Sequence, residues 1–158
     1  MGPTVSFYEE IEAMRAHNDA ALERLEKTCA GHARWLRDAL QKKLGWPDAQ
    51  IAIVDFDEPP EGARRVSGVG HVSRSGYHFG LKVAGPTDWH VVFYWTMRVL
   101  PSQKIELEGD PDPPRRTIIV DPLDASPDAA EPLAAYVRDK IRAFIDRIAL
   151  ATRVEEQP

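Results

Sequence analysis

Five side chains able to do chemistry fall at even positions of two neighbouring segments: His78, Lys82, His90, Tyr94 and Arg98. The odd positions of those segments, 77–83 and 89–100, are apolar, from Tyr77, Phe79, Leu81 and Val83 to Trp89, Val91, Phe93, Trp95, Met97 and Val99. Extended chain sends alternate side chains to opposite faces, so the five share one face of two adjacent strands. Two imidazoles, a phenol and two cations on one surface could hold an anion or an acidic segment of a protein partner. The same composition also fits the plain water-facing side of an antiparallel sheet. These five residues form the candidate binding surface.

Other constellations are weaker. His71, His78 and His90 supply three imidazoles, the number of protein ligands in many catalytic zinc sites. No helical His-x-x-x-His pair accompanies them, so no metal is expected. Cys29 and His32 lie three apart, as in half a metal site or an activated thiolate. A lone cysteine in an apolar stripe is more often packing material. Asp55, Asp57, Glu58 and Glu61 gather around one loop, and Asp110, Asp112, Asp121 and Asp124 around others. Carboxylates with divided pKa values do acid–base work, whereas those in proline-rich loops keep sheet edges soluble. Arg64, Arg65, Arg74, Lys82, Arg98, Arg115 and Arg116 could make a basic patch, without any recognised nucleic-acid module. Gly68-Val69-Gly70 lacks the following helix of a dinucleotide fingerprint, and no phosphate loop or serine elbow is present. No catalytic residue and no cofactor are therefore expected.

The elements that must position these groups are legible from periodicity. The segment 89–100 carries two of the four tryptophans on its apolar face, and each fully buried large side chain contributes roughly 1.5–3 kcal/mol. Short strands are expected at 51–56, 65–72 and 103–108, and a sixth at 115–120. Gly68 and Gly70 weaken the second, as a bulge or a close approach of another backbone would. Turns at 73–76, 85–88 and 101–102 make the sheet an antiparallel meander.

Ser6-Phe7-Tyr8-Glu9 is a capping box that starts a helix at Phe7. Apolar residues at helical spacing carry it to Leu44, and Lys42, Lys43, Gly45 and Pro47 end it. Unbroken, that helix is about 57 Å long, more than a domain of this size covers. It either breaks near Ala30-Gly31 or projects and pairs with another copy. The stripe Phe7, Ile11, Met14, Asn18, Ala21, Leu25 has the 4-3 spacing of a coiled-coil seam, and homo-oligomerisation, a dimer first, is the favoured expectation. A second helix over 127–152 shows Leu133, Val137, Ile141, Phe144, Ile145 and Ile148 on one side. Residues 153–158 read as a polar tail.

The expected fold is α+β: one domain over 1–158, with an antiparallel sheet of five or six strands at 50–120. The long N-terminal helix (7–44) and the C-terminal helix (127–152) pack on one sheet face. A chain of 158 residues buries about two-thirds of its unfolded surface and needs no staples. The single cysteine suits a reducing, cytoplasmic setting. No apolar run approaches a membrane span, and the first residues lack a secretory pattern. Met1-Gly2-Pro3-Thr4-Val5-Ser6 fits a loose myristoylation pattern, but proline beside the acceptor glycine suits it poorly and Ser6 serves the cap. A net charge of −5 disfavours nucleic acid, whose binding rests on neutralised phosphates. The functional expectation is a small acidic cytosolic interaction module without catalytic activity, comparable to adaptor, chaperone or immunity proteins. The alternative is an enzyme or small-ligand binder using the His/Tyr/Arg face, which would need a concave pocket there.

Overall fold

A computed structural model describes residues 5–55, 63–65, 70–73, 75–109, 117–124 and 126–156. The first helix, α1, spans Phe7–Leu44 without a break at Gly31. The Ser6 hydroxyl accepts from the Glu9 amide at 3.2 Å, satisfying one of the orphan donors of the first turn. At the other end Gly45 takes φ 61°, and its amide reaches back to the carbonyls of the last turn. Of the two resolutions open to so long a helix, projection holds. Residues 5–21 are all exposed, Leu22 is half-buried, and full burial begins only at Cys29.

Strands β1 (Ile51–Val54), β2 (Arg64–Arg65), β3 (His71–Ser73), β4 (Gly76–Ala84), β5 (His90–Val99), β6 (Ile105–Gly109) and β7 (Thr117–Val120) form one antiparallel sheet. From β2 to β7 the order is sequential, as a meander requires, while β1 also pairs β4. β1 and β3 occupy the same edge of β4 end to end, β1 opposite residues 80–83 and β3 opposite residues 76–78. The strand expected over 65–72 is thus two short pieces, 64–65 and 71–73, with 66–69 outside the described residues. Asp55 stitches this region: its carboxylate accepts from the Gly70 amide at 2.7 Å and meets Arg65 at 3.2 Å. Gly70 has φ +109°, and a Cβ there would lie 2.4 Å from the Tyr77 hydroxyl oxygen, so only glycine fits. The close approach anticipated for this segment is therefore by a tyrosine ring, not by backbone.

The alternation sorts the sheet cleanly. Tyr77, Phe79, Leu81, Val83, Phe93, Trp95, Met97, Ile105, Leu107, Ile118 and Val120 are all buried. They form one core with Cys29, Ala33, Leu36 and Leu40 of α1 and with Leu133, Ala134, Val137 and Ile141 of the C-terminal helix α2 (Glu131–Glu156). Tyr136 lays its ring against Trp95 at 5.2 Å and Phe93 at 6.3 Å. Trp46, just past α1, donates from Nε1 to the Ala84 carbonyl at 2.9 Å and packs on Trp89, which also meets Phe144. Ser126 caps a short 3₁₀ turn at Pro127–Ala130 that leads into α2. α2 runs on through Glu156, where a tail from residue 153 was expected. Lys43 ties the end of α1 to this start, 2.7 Å from Asp128 and 3.3 Å from Glu131. Those contacts raise the Lys43 pKa and lower that of Asp128. At Glu131 burial raises the pKa, but hydrogen bonds from Arg138 and Lys43 outweigh it and the net shift is downward. Among the described residues no helix is long and apolar enough to cross a membrane.

Candidate functional site

Strand register fixes where the five singled-out residues sit. His78 of β4 pairs with Thr96 of β5, Gly80 with Tyr94, Lys82 with Val92, and Ala84 with His90. All lie on the face opposite the helices, as the alternation requires. They do not converge. From the His78 row to the His90 row is six residues of β4, about 20 Å. His90 is exposed at one end, and Lys82 and Tyr94 are half-buried between.

At the other end stands a compact polar network. His71 of β3 is opposite His78, Thr96 is opposite Glu108, and Glu108 is opposite Thr117. His78 is only 2% exposed, although it lies on the outward face. Its Nε2 is 2.6 Å from the Ser73 hydroxyl and its Nδ1 is 3.0 Å from the Thr96 hydroxyl. Burial lowers its pKa, with His71 and Arg98 adding to the effect, so the ring stays neutral at pH 7. Arg98 closes the network with two ion pairs, 2.9 Å to Glu106 and 3.1 Å to Glu108.

A hydroxyl held by an imidazole that is itself held by another group is the arrangement of an activated nucleophile. Ser73 departs from it in one respect. Its Oγ also accepts from the Ser75 amide at 3.2 Å and lies 2.8 Å from the Ser75 hydroxyl. One donor and two lone pairs are then committed, and the serine locks the β3–β4 turn.

The remaining candidates are also placed. His71 and His78 are neighbours, but His90 is too distant to share an ion with them. Among the described residues no three His, Cys, Asp or Glu side chains are grouped to hold a metal. Cys29 is buried in the core, and burial pushes its pKa up to about 11. Arg65 is paired with Asp55, and Arg98 with two glutamates. Arg74, Arg115 and Arg116 lie outside the described residues, as do Asp57, Glu58, Glu61, Asp110 and Asp112. Asp121 and Asp124 each accept a backbone amide two residues on, at 3.0 and 2.8 Å, and so shape the loop before α2.

Concavities lie elsewhere. A groove of about 720 Å³ runs between Trp35, Ala39 and Lys42 of α1 and Pro122, Leu123, Asp124, Ser126, Ala129 and Ala130. A notch of about 220 Å³ opens where α1 leaves the sheet, between Leu25, Cys29, Val72, Tyr77, Met97 and Val99, with Ser73, Ser75, Gly76 and Arg98 along its polar side. Along α1 from Leu25 at that notch towards the N-terminus, apolar residues are exposed: Leu25 45%, Met14 55%, Ile11 44%, Tyr8 71% and Phe7 75%. The stripe was legible as apolar residues at helical spacing; the notch was not, because residues from α1, β3, β4 and β5 meet there only in the fold. Compared with models of known protein families, with curated proteins and with solved structures, the chain shows no match.

Proposed function

We propose that this chain is a non-catalytic interaction module of the cytoplasm, adaptor-like in kind, whose working element is the projecting half of α1. One observation carries the reading. Phe7, Tyr8, Ile11 and Met14 lie exposed on a helix that leaves the core before Leu22. Exposed apolar residues set in a row along one element mark a place where another chain binds. Aromatic and methionine side chains are the types enriched at such places. Helix-in-groove and helix-on-helix recognition both use anchors spaced three and four apart, as these are. The polar outward sheet face supports the body, with His78 bonded to Ser73 and Thr96, and Arg98 paired with Glu106 and Glu108. The binding partner is protein, and self-association as a dimer belongs to the same reading.

A photo-crosslinking residue replacing Ile11 in the native host, against the same residue replacing Ala13 on the opposite side of the helix, tests this. Protein adducts at position 11 and not at 13 are expected, whether to this chain or another. No adduct above the position-13 background would remove the reading.

A further inference from the structure

Resting on that reading, we infer that the occupant of the projecting helix is a second copy of this chain, paired antiparallel, with Phe7 of each protomer seated in the notch of the other. Three observations lead there. The first is continuity. Phe7, Ile11, Met14, Asn18, Leu22 and Leu25 follow one another in steps of three or four, and Cys29, Ala33, Leu36 and Leu40 extend the same stripe onto the sheet. A helix with 3.6 residues per turn keeps such a series on one side. The exposed seam therefore faces the direction from which the sheet covers the rest of α1.

That continuity decides the orientation. A parallel partner lying along the seam would run into this protomer's own sheet at Cys29. An antiparallel partner ends there instead. Pairing Met14 with the partner's Asn18 sets Ile11 against the partner's Ala21, with Leu22 on its flank, and Phe7 against the partner's Leu25. The overlap from 7 to 25 is about 27 Å, and it leaves the two folded bodies at opposite ends.

The second observation is the notch at the end of that track. It is bounded by Leu25 and Cys29 and holds about 220 Å³. Apolar cavities of roughly 150 Å³ accept benzene, so a phenylalanine ring fits. The two-fold arrangement fills both notches with both Phe7 rings, a closed isologous contact with no open end. Phe7, Tyr8, Ile11, Met14 and Leu25 together bring on the order of 500 Å² of apolar surface per protomer, which with the flanks reaches the lower range of specific interfaces.

The third is charge. In the same register Glu10 lies beside the partner's Arg24, and the symmetry makes two such pairs. Within one helix these residues are 14 positions apart, about 21 Å, so they do not pair intramolecularly. Arg15 approaches its own copy near the two-fold axis, with Glu12 three residues away on the same helix to offset it.

Sedimentation equilibrium of the full chain at roughly 10–100 μM, the range suited to an interface of this size, should give twice 17.7 kDa. Phe7→Glu should give the monomer mass with the melting temperature of the wild type diluted to monomer, since Phe7 touches little of its own fold. Glu10→Lys and Arg24→Glu should each weaken dimerisation roughly tenfold, and the double variant should recover it. A benzophenone residue at position 7 should crosslink to 22–29 or 72–77 of the second copy. A monomer throughout the range, a dimer indifferent to Phe7→Glu, absent charge-swap recovery, or 7-to-7 crosslinks would each overturn the proposal. A monomer that still forms position-11 adducts with a different protein would overturn the second copy alone and leave the interaction module standing.

Discussion

Replacing His78 with alanine separates a structural imidazole from a binding one. The ring is buried and bridges two hydroxyls on neighbouring strands, Ser73 on β3 and Thr96 on β5. Two hydrogen bonds contribute about 0.5–1.5 kcal/mol each. Losing the ring also leaves a cavity at a site only 2% exposed, and truncating a large buried side chain commonly costs about 2–5 kcal/mol. Ser73 and Thr96 are half-buried and regain some water, so a total near 3 kcal/mol follows. Urea unfolding at pH 8 measures it, as a midpoint lowered by about 1.5 M for a slope near 2 kcal/mol per M. The pH dependence gives a second handle. Burial holds the folded pKa of His78 below the ordinary 6.5, so below that value the unfolded chain takes up a proton that the native chain refuses. Wild-type stability is then full above pH 6.5 and declines as pH falls, by at most about 1.4 kcal/mol per unit for one proton, until pH passes the lowered native value. The alanine variant should lack this component while keeping that of His32, whose pKa burial also lowers. A loss under about 1 kcal/mol, or identical pH profiles for the two proteins, would refute the structural role.

Other substitutions probe the frame around it. Gly70→Ala should cost at least about 2 kcal/mol by thermal or chemical unfolding, because positive φ and the Tyr77 ring both oppose a Cβ. Gly31→Ala should instead stabilise by about 0.5–1 kcal/mol, since nothing lies within 4 Å of the new methyl in mid-helix; a destabilised variant would mean the helix bends there. Cys29, with its pKa pushed up to about 11, should hold about one thiolate in a thousand at pH 8 and alkylate hundreds of times more slowly than in urea. A native rate close to the unfolded one would place the thiol outside the core.

The parts of the fold that local periodicity encodes were legible from residues alone. Ser6 and Glu9, then Gly45 and Pro47, mark both ends of α1 because caps are chemistry of neighbouring residues. The odd positions of β4 and β5 mark the core because a period of two leaves no other assignment. Pairing over distance was not legible. Nothing in 51–54 or 71–73 says that both lie along one edge of β4, which is decided by long-range pairing and by the Asp55–Gly70 bond. Even positions were expected to be solvated as a class, yet His78 is enclosed while His90, on the same face, is exposed. The difference is in cross-strand neighbours: His78 has Ser73, His71 and Thr96 around it, and His90 has Ala84 at the strand end.

The same reasoning explains why one apolar stripe is buried along part of its length and exposed along the rest. From Phe7 to Leu40 the steps stay at three or four residues, so the sequence carries no mark where the core ends and the exposed stretch begins. That boundary is set by the sheet, whose edge under α1 is reached at Tyr77 and Met97, beside Cys29. Lengthening β4 and β5 would convert Leu25 and Leu22 into core; shortening them would lengthen the seam. An apolar stripe that outruns the surface its own fold provides costs solubility and contributes nothing to the stability of a lone chain. On the proposed reading, the portion of α1 before Leu22 is the surface that another polypeptide completes, and its continuity with the core face determines from which side that polypeptide comes.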